Sequence, residues 1–519
     1  MNSANGLAIL AVIALCAFAF SAPTVAATTP PGPSLNLPQS RPPAPESLES
    51  RIKRAFEFFS ADEYAAADGE MRSILADPEF VVLGDRQKSA LYALAGFIAA
   101  SGNDTERAWA MFDQALAYPG IDPEIVFSIL DVALHTQQPL KAIAPLRVLA
   151  AQAPNQIQYL NSEAIYRLNS DLEKQGAPAA ARLDFLQTLY AAGYRLADGR
   201  EPSGLWFDLA LLRLEQGDLP AAIQAARRIT SASDLMLLQI DARFSPVVAA
   251  LDRKQLDLQA ALDGEIDTLG LAIKREPRVL QYVVLRSYEL MRAGRYQDTL
   301  VECDAALAQQ AAAASDKPAF DDEEDQLVWV HDSRARALLG LGRADEAIAV
   351  WEAARLKPEN GMENVSQAIN LGQVYAALGR GDDALNTISG VRNASPFGWM
   401  QYHAVRVTAL LDTPKDPRAQ ESLAYLREHS KDAQGTYLDA LVLIGDMDEA
   451  SRVYREWLAD PIKRSNALAY VQGYVRAPIS PRTLAWDERR VGLTQRPEVM
   501  DAIRSAGTVM QTPLHELMP

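Results

Sequence analysis

The 519-residue sequence predicts an all-α protein made of antiparallel helical hairpins stacked in series, an irregular α-solenoid in two halves. Three observations lead there. The chain is too long for one compact core, so it must divide into domains or extend as an array. Alanine and leucine are abundant while aromatic residues make up only 7%, a mixture that favours helices over sheets. A pattern of turn glycine, acidic pair and small anchor residue also recurs, most clearly in LLGLGRADEAIAVWEAARLKP over residues 338–358.

Taken in order, residues 1–27 read as a secretory signal: an apolar run over 7–20, then Ser21, Ala22 and Pro23, then Val25, Ala26 and Ala27 as a cleavage region. The run is short for a bilayer span. MNSANG supplies no Lys or Arg, and that departure leaves an uncleaved anchor as the alternative. Cys16 lies in the run without the small preceding residue of a lipid-attachment site, so it is expected to leave with the peptide. Cys303 then stands alone, internal disulfides are excluded, and export without disulfides suits a bacterial periplasm. Residues 28–46, with prolines at 30, 31, 33, 38, 42, 43 and 45, form an extended tether.

The repeat anchors are Ala67, Ala108, Ala142, Ala222, Thr299, Ala347, Ala384 and Ala450. Ala108 and Ala142 are 34 residues apart, and Ala347 and Ala384 are 37 apart. The 66-residue step to Ala450 predicts a degenerate unit across 399–430. Glycines at 217, 294, 342, 379 and 445 stand five positions before their anchors, where a first helix must end in a left-handed cap. Asp345 and Glu346, Asp382 and Asp383, and Asp448 and Glu449 then suit the positive end of the second helix. Pro154, Pro358 and Pro396 are expected to stop second helices. Small residues such as Gly372 and Ala384 let the two helices approach, with Leu371 and Tyr375 filling the space beside the crossing.

Trp206, Leu209, Ala210 and Ala222; Tyr92, Ala95, Gly96, Ala108, Phe112 and Ala115; and Leu371, Gly372, Tyr375, Ala384 and Pro396 together resemble the tetratricopeptide repeat (TPR). The resemblance implies a TPR-like α-solenoid with a concave binding face and no catalytic role. Clear repeats cover a little over half of the chain, and 157–202 and 237–279 fit poorly while still reading as helical. The expected divisions are an N-terminal half over 47–255, a C-terminal half over 256–475 and a capping segment over 476–519. DARFSPVVAAL from Asp241 and WDERRVGLTQRPEVMDAI from Trp486 look related and are read as ends of the two halves, or as chance likeness between alanine-rich helices.

In TPR proteins ligand contacts commonly come from the second, fifth, ninth and twelfth positions of the first helix, which share one face. The resemblance carries these onto Phe207 and Leu211, onto Gln281, Val284, Tyr288 and Met291, onto Trp329, Asp332, Arg336 and Leu339, and onto Ser366, Ile369 and Gln373. The candidate protein-binding residues are thus Phe207, Gln281, Tyr288, Trp329, Asp332, Arg336 and Gln373. Packing between units is the alternative role for Phe207 and Trp329.

No catalytic, metal or cofactor constellation accompanies the repeat. His135, His331, His403, His429 and His515 are dispersed, and HExxH, phosphate-loop, GxSxG and GxGxxG patterns are absent. Cys303 takes a large apolar position and is expected to be buried and inert. DDEED over 321–325 reads as a solvated loop between repeats, or else a docking strip for a basic partner. A net charge of -17 and a pI near 4.9 exclude a nucleic-acid partner, disfavour an anionic membrane surface, and favour a protein or peptide with a basic or apolar contact surface. No cofactor and no stable membrane insertion after signal cleavage are expected. The expected function is a non-catalytic scaffold in cell-envelope assembly or stabilisation. The alternatives are a structural subunit of an envelope secretion or polysaccharide-export complex, and an enzyme using dispersed carboxylates.

Overall fold

The computed structural model describes residues 46–313, 317–359, 362–476 and 480–517, and the expected signal, Cys16 and the tether up to residue 45 lie outside them. The described chain is almost entirely helical, with a short parallel pair formed by β1 (Gly473–Val475) and β2 (Gln511–His515). It forms two compact units that divide between Ala197 and Asp198. The sequence-based boundary at 255–256 therefore falls inside the second unit.

The first unit holds the hairpins Leu48–Ser60 with Tyr64–Leu75, Asp85–Ser101 with Thr105–Leu116, Pro123–His135 with Pro139–Gln152, and Ser162–Lys174 with Ala179–Ala191. In the second unit Ser203–Glu215 pairs with Leu219–Ala226, and helices Ala232–Ile240 and Leu258–Arg275 follow. Gln281–Arg292 with Tyr296–Ala312, Glu323–Gly340 with Ala344–Ala354, and Val365–Ala377 with Gly381–Ile388 continue the array. The degenerate unit is present as Pro396–Ala409 with Pro417–Glu428, and Gln434–Ile444 with Met447–Ala459 is the next hairpin. Among the described residues no helix is long and apolar enough to cross a membrane.

The eight anchors are all buried, none more than 1% exposed. A side chain on Gly372 would bring its Cβ to 2.7 Å from Ile388 Cγ2, so the absent side chain lets Val365–Ala377 and Gly381–Ile388 meet. The five turn glycines have φ between 69° and 81°, the left-handed conformation that ends the first helix. One residue after these glycines, or after Asn103, which takes the same left-handed conformation, the turn has two solutions. Asp104, Asp218 and Asp446 accept a hydrogen bond from the backbone N–H three residues ahead and cap the second helix. In their place Arg295, Arg343 and Arg380 donate at 2.7 Å to Asp298, Glu346 and Asp383.

Two local expectations are corrected. Pro396 opens a first helix instead of ending a second one, which already stops at Ile388, because proline at the first helical position forfeits only an unused N–H. DDEED is solvated at Asp321, Glu324 and Asp325 but is only partly a loop: Asp322 accepts from the backbone N–H groups of Leu280 and Gln281 at 2.7 and 2.8 Å, and Glu323 begins the next helix. The carboxylate thereby occupies the positive end of the neighbouring helix.

The second unit closes on itself. Asp241 accepts from Ser465 Oγ at 2.8 Å, Arg243 donates to the Pro461 carbonyl at 2.7 Å, and the Thr508 N–H donates to the Ile240 carbonyl at 2.9 Å. Gly507 pairs with Asp241 as an isolated antiparallel bridge, and a Cβ on Gly507 would collide with the Ile240 carbonyl. Helix Pro497–Ala506 packs against the Ala242–Phe244 turn, so the two related-looking stretches of sequence meet at the closure.

Replacing Gly372 with valine overfills the crossing and should destabilise the second unit by about 1–3 kcal/mol, read from the midpoint of urea unfolding. An unchanged midpoint would show that the helices do not depend on this close approach.

Candidate functional site

Three consecutive first helices, Val365–Ala377, Pro396–Ala409 and Gln434–Ile444, turn one face inward. On it lie Gln373 and Ala377, then Gln401, Ala404, Val405 and Thr408, then Thr436, Asp439, Ala440 and Leu443. The i, i+3/i+4, i+7 spacing puts each set on one stripe. Gln373 Nε2 donates to Gln401 Oε1 at 2.7 Å, and Gln401 Nε2 donates to Thr436 Oγ1 at 2.8 Å. These polar rungs join neighbouring hairpins across a floor of small apolar side chains.

The C-terminal segment supplies the opposite wall. Arg476, Arg482, Trp486, Asp487, Glu516 and Leu517 close a cavity of about 340 Å³ over the rungs. Arg476 pairs with both Asp487 and Glu516, and its guanidinium lies 5.1 Å from the Trp486 ring centroid. Burial lowers its pKa. Asp439 Oδ1 accepts from the Tyr470 hydroxyl at 2.7 Å, and desolvation pushes its carboxyl up to about 7. Among the described residues the Trp486 indole N–H has no hydrogen-bond acceptor. The cavity thus offers amides, a hydroxyl, an aromatic face and carboxyl groups over an apolar base. Among the described residues no group of three or more His, Cys, Asp or Glu is arranged to hold a metal ion.

A second ionisable cluster lies where Ala232–Ile240, Leu258–Arg275 and Gln281–Arg292 meet. Glu265 accepts from the Ala232 N–H at 2.9 Å and stands 3.6 Å from Arg200, and burial raises its carboxyl above the usual carboxylate range. Glu289, 3.8 Å from Arg292, is raised by the same cause, and desolvation lifts Asp234 to about 6.

Of the residues chosen from sequence, Gln373 lines the cavity. Phe207 is 7% exposed and lies against Phe244 at 4.8 Å between ring centroids. Gln281 is exposed at the start of its helix, where its N–H meets Asp322. Trp329 and Tyr288 are half-buried against the core that surrounds Cys303, and desolvation pushes the Tyr288 hydroxyl up to about 12. Asp332 and Arg336 are brought together at 2.6 Å, with Tyr288 close enough to feel both charges. Asp332 is fully buried and joins three helices, accepting from Trp351 Nε1 and Asn370 Nδ2, each at 2.9 Å. Cys303 is buried as expected, with its thiol raised to about 12 by desolvation.

Sequence reasoning did not select Arg476, Trp486, Asp487 or Glu516, because register within the repeats says nothing about a segment that folds back. A signal was present in RTLAWDERR: Arg482, Trp486 and Arg489 recur at helical spacing on one face.

Two outcomes are expected. Asp332→Ala removes the buried carboxylate that Arg336, Trp351 and Asn370 share and should cost about 3–5 kcal/mol in urea unfolding, whereas Trp351→Phe, which removes one hydrogen bond, should cost less. The raised carboxyl of Asp439 keeps a proton in the folded state. The stability it contributes is therefore full below the ordinary carboxyl range and is lost as pH rises through about 7. Asp439→Asn should make the second unit more heat-stable than wild type at pH 8, and the advantage should vanish by pH 4. Equal melting temperatures at pH 8 would place the carboxylate in a solvated site.

No protein-family model and no curated protein matches this chain. Among solved structures it is similar to the crystal structure of the P58(IPK) TPR domain, at 14% identity over 75% of this chain and 99% of that one, with a TM-score of 0.18. It is also similar to Naa15/Naa10 bound to HypK-THB, at 12% identity over 88% of this chain and 70% of that one, with a TM-score of 0.22. At those scores the superpositions add nothing to the argument. The TPR-like character of the chain is carried by its own geometry, the buried anchors, the left-handed turn glycines and the serial hairpins described above.

Proposed function

We propose that the chain is a non-catalytic scaffold that binds a protein or peptide partner along the inner face of its second unit, and that it acts after export in the assembly or stabilisation of a bacterial cell envelope. The observation that carries the binding reading is the ladder of Gln373, Gln401 and Thr436 across three hairpins above a floor of small side chains. Such rungs can exchange hydrogen bonds with an extended backbone, while the floor admits its apolar side chains. The acidic balance of the chain favours a partner with basic or apolar contact surface, and the leader read in residues 1–27 is the basis for the periplasmic placement.

The test is crosslinking in living cells followed by mass spectrometry of the captured proteins, comparing wild type with a Gln373→Ala, Gln401→Ala, Thr436→Ala variant whose helicity is intact. A partner recovered with wild type and depleted at least tenfold with the variant is the expected result. Recovery of the same partners in equal amounts would remove the inner face from consideration. Co-purification in fixed stoichiometry would instead favour a structural subunit of an envelope complex.

A further inference from the structure

The last carbonyls of an α-helix have no partner within it and form the negative end of its dipole. Where first helices of successive hairpins end side by side, they create a rim that calls for donors, positively charged ones above all. In the second unit a single short stretch serves that rim. Ser480 Oγ donates to the Ala377 carbonyl at 2.6 Å. Arg482 donates to the carbonyls of Ala376 and Thr408 at 3.1 and 3.2 Å, bridging Val365–Ala377 and Pro396–Ala409, and it pairs with Asp412. Arg489 donates to the Leu443 carbonyl at the end of Gln434–Ile444.

The spacing explains how one helix reaches three. Arg482 and Arg489 are seven residues apart, two turns of helix Pro481–Thr494, a rise of about 10.5 Å. Packed helices lie about 8–10 Å apart. A helix laid across the rim therefore lets one arginine bridge the first two helix ends and a second, two turns on, reach the third.

The same helix is shallowly seated. Of its described side chains only Arg490 and Leu493 are buried, while Leu484 and Val491 remain 49% and 50% exposed. Leu493, the buried Arg490 on the Tyr470 carbonyl and the Asp487–Arg476 pair hold its C-terminal half and middle, while its N-terminal turns are attached mainly by donors on the rim, with little of the apolar burial that drives a stable contact.

We propose that this rim is a docking surface for an arginine-bearing helix of the partner protein, with cationic donors two turns apart, and that helix Pro481–Thr494 occupies it in cis until such a helix displaces it. The inference rests on the reading of the inner face as the binding surface and gives that partner its chemistry. The segment already seated there states the pattern: a hydroxyl donor, then arginines at a seven-residue interval. Displacing it would also open the wall of the cavity that Trp486 and Asp487 form.

The test uses the full chain and a fluorescent peptide copying residues 480–496, against wild type and an Arg482→Ala, Arg489→Ala variant. Hydrogen exchange should show residues 481–494 protected in wild type and released in the variant, and the variant should bind the peptide at least tenfold more tightly. A peptide with alanine at both arginine positions should lose at least tenfold of that affinity. The proposal is overturned if the variant's helix stays protected, if the released variant binds no better than wild type, or if the arginine-free peptide binds equally well. Should the double variant lose helicity, Arg489→Ala alone, a change at an exposed residue, is measured in the same three ways, and the same results support or overturn the proposal. Peptide binding as expected with no partner captured in cells would uphold the rim and remove the scaffold reading. Capture that depends on Gln373, Gln401 and Thr436 without rim binding would do the reverse.

Discussion

Everything in this molecule depends on how closely two helices of one hairpin can approach. The second helix turns a residue no larger than alanine or threonine onto the first, and at all eight anchors that residue is removed from water. Close approach lets side chains such as Trp351, Phe112 and Tyr454 fill the flanks completely instead of propping the helices apart. A hairpin built this way still leaves one face bare, and only the next hairpin covers it. Each unit of the array therefore inherits its orientation from its neighbour, and the inner stripe of one first helix is placed beside that of the next. The rungs from Gln373 to Gln401 to Thr436 follow from that inheritance.

Polar groups enter this apolar architecture where backbone geometry leaves something unpaired. Asp322 and Asp104 sit at helix starts, Arg482 and Arg489 at helix ends, and Asp332 ties an indole, an amide and a guanidinium from three helices to one buried carboxylate. Burial costs the lone charge, and donors on every side offset it. The acidic surface of the chain is thus only part of its electrostatic character; many of its arginines are engaged by backbone carbonyls or by acidic partners a few residues away.

The hairpins were legible in the sequence because their determinants are local. The turn glycines at 217, 294, 342, 379 and 445 announce a backbone conformation that few other residues adopt, and the anchors follow at a fixed distance. The degenerate unit over 396–428 was legible from spacing alone. What escaped was whatever depends on distant partners. Asp241 and Arg243 carry no mark that their ligands are Ser465 and the Pro461 carbonyl, so a boundary was expected just where the second unit is tied together. The run at 321–325 looked solvated because its counterpart, a bare helix start at Leu280 and Gln281, lies about forty residues earlier. Register likewise placed Gln373 on the inner face but gave no hint that residues from 476 onward would cover it.

The closure of the second unit has a kinetic meaning. An open row of hairpins can form from either end or from the middle, since every contact is between neighbours. The hydrogen bond from Ser465 to Asp241 spans 224 residues, and such a contact is costly to form early because the intervening chain must first be brought to heel. Hairpin formation and ring closure are therefore separate acts in time, the first quick and local, the second waiting until residues near the C-terminus have been delivered. Until then Ala232–Ile240 stands as an uncovered edge of a nascent array, which helix Arg464–Tyr470 later covers.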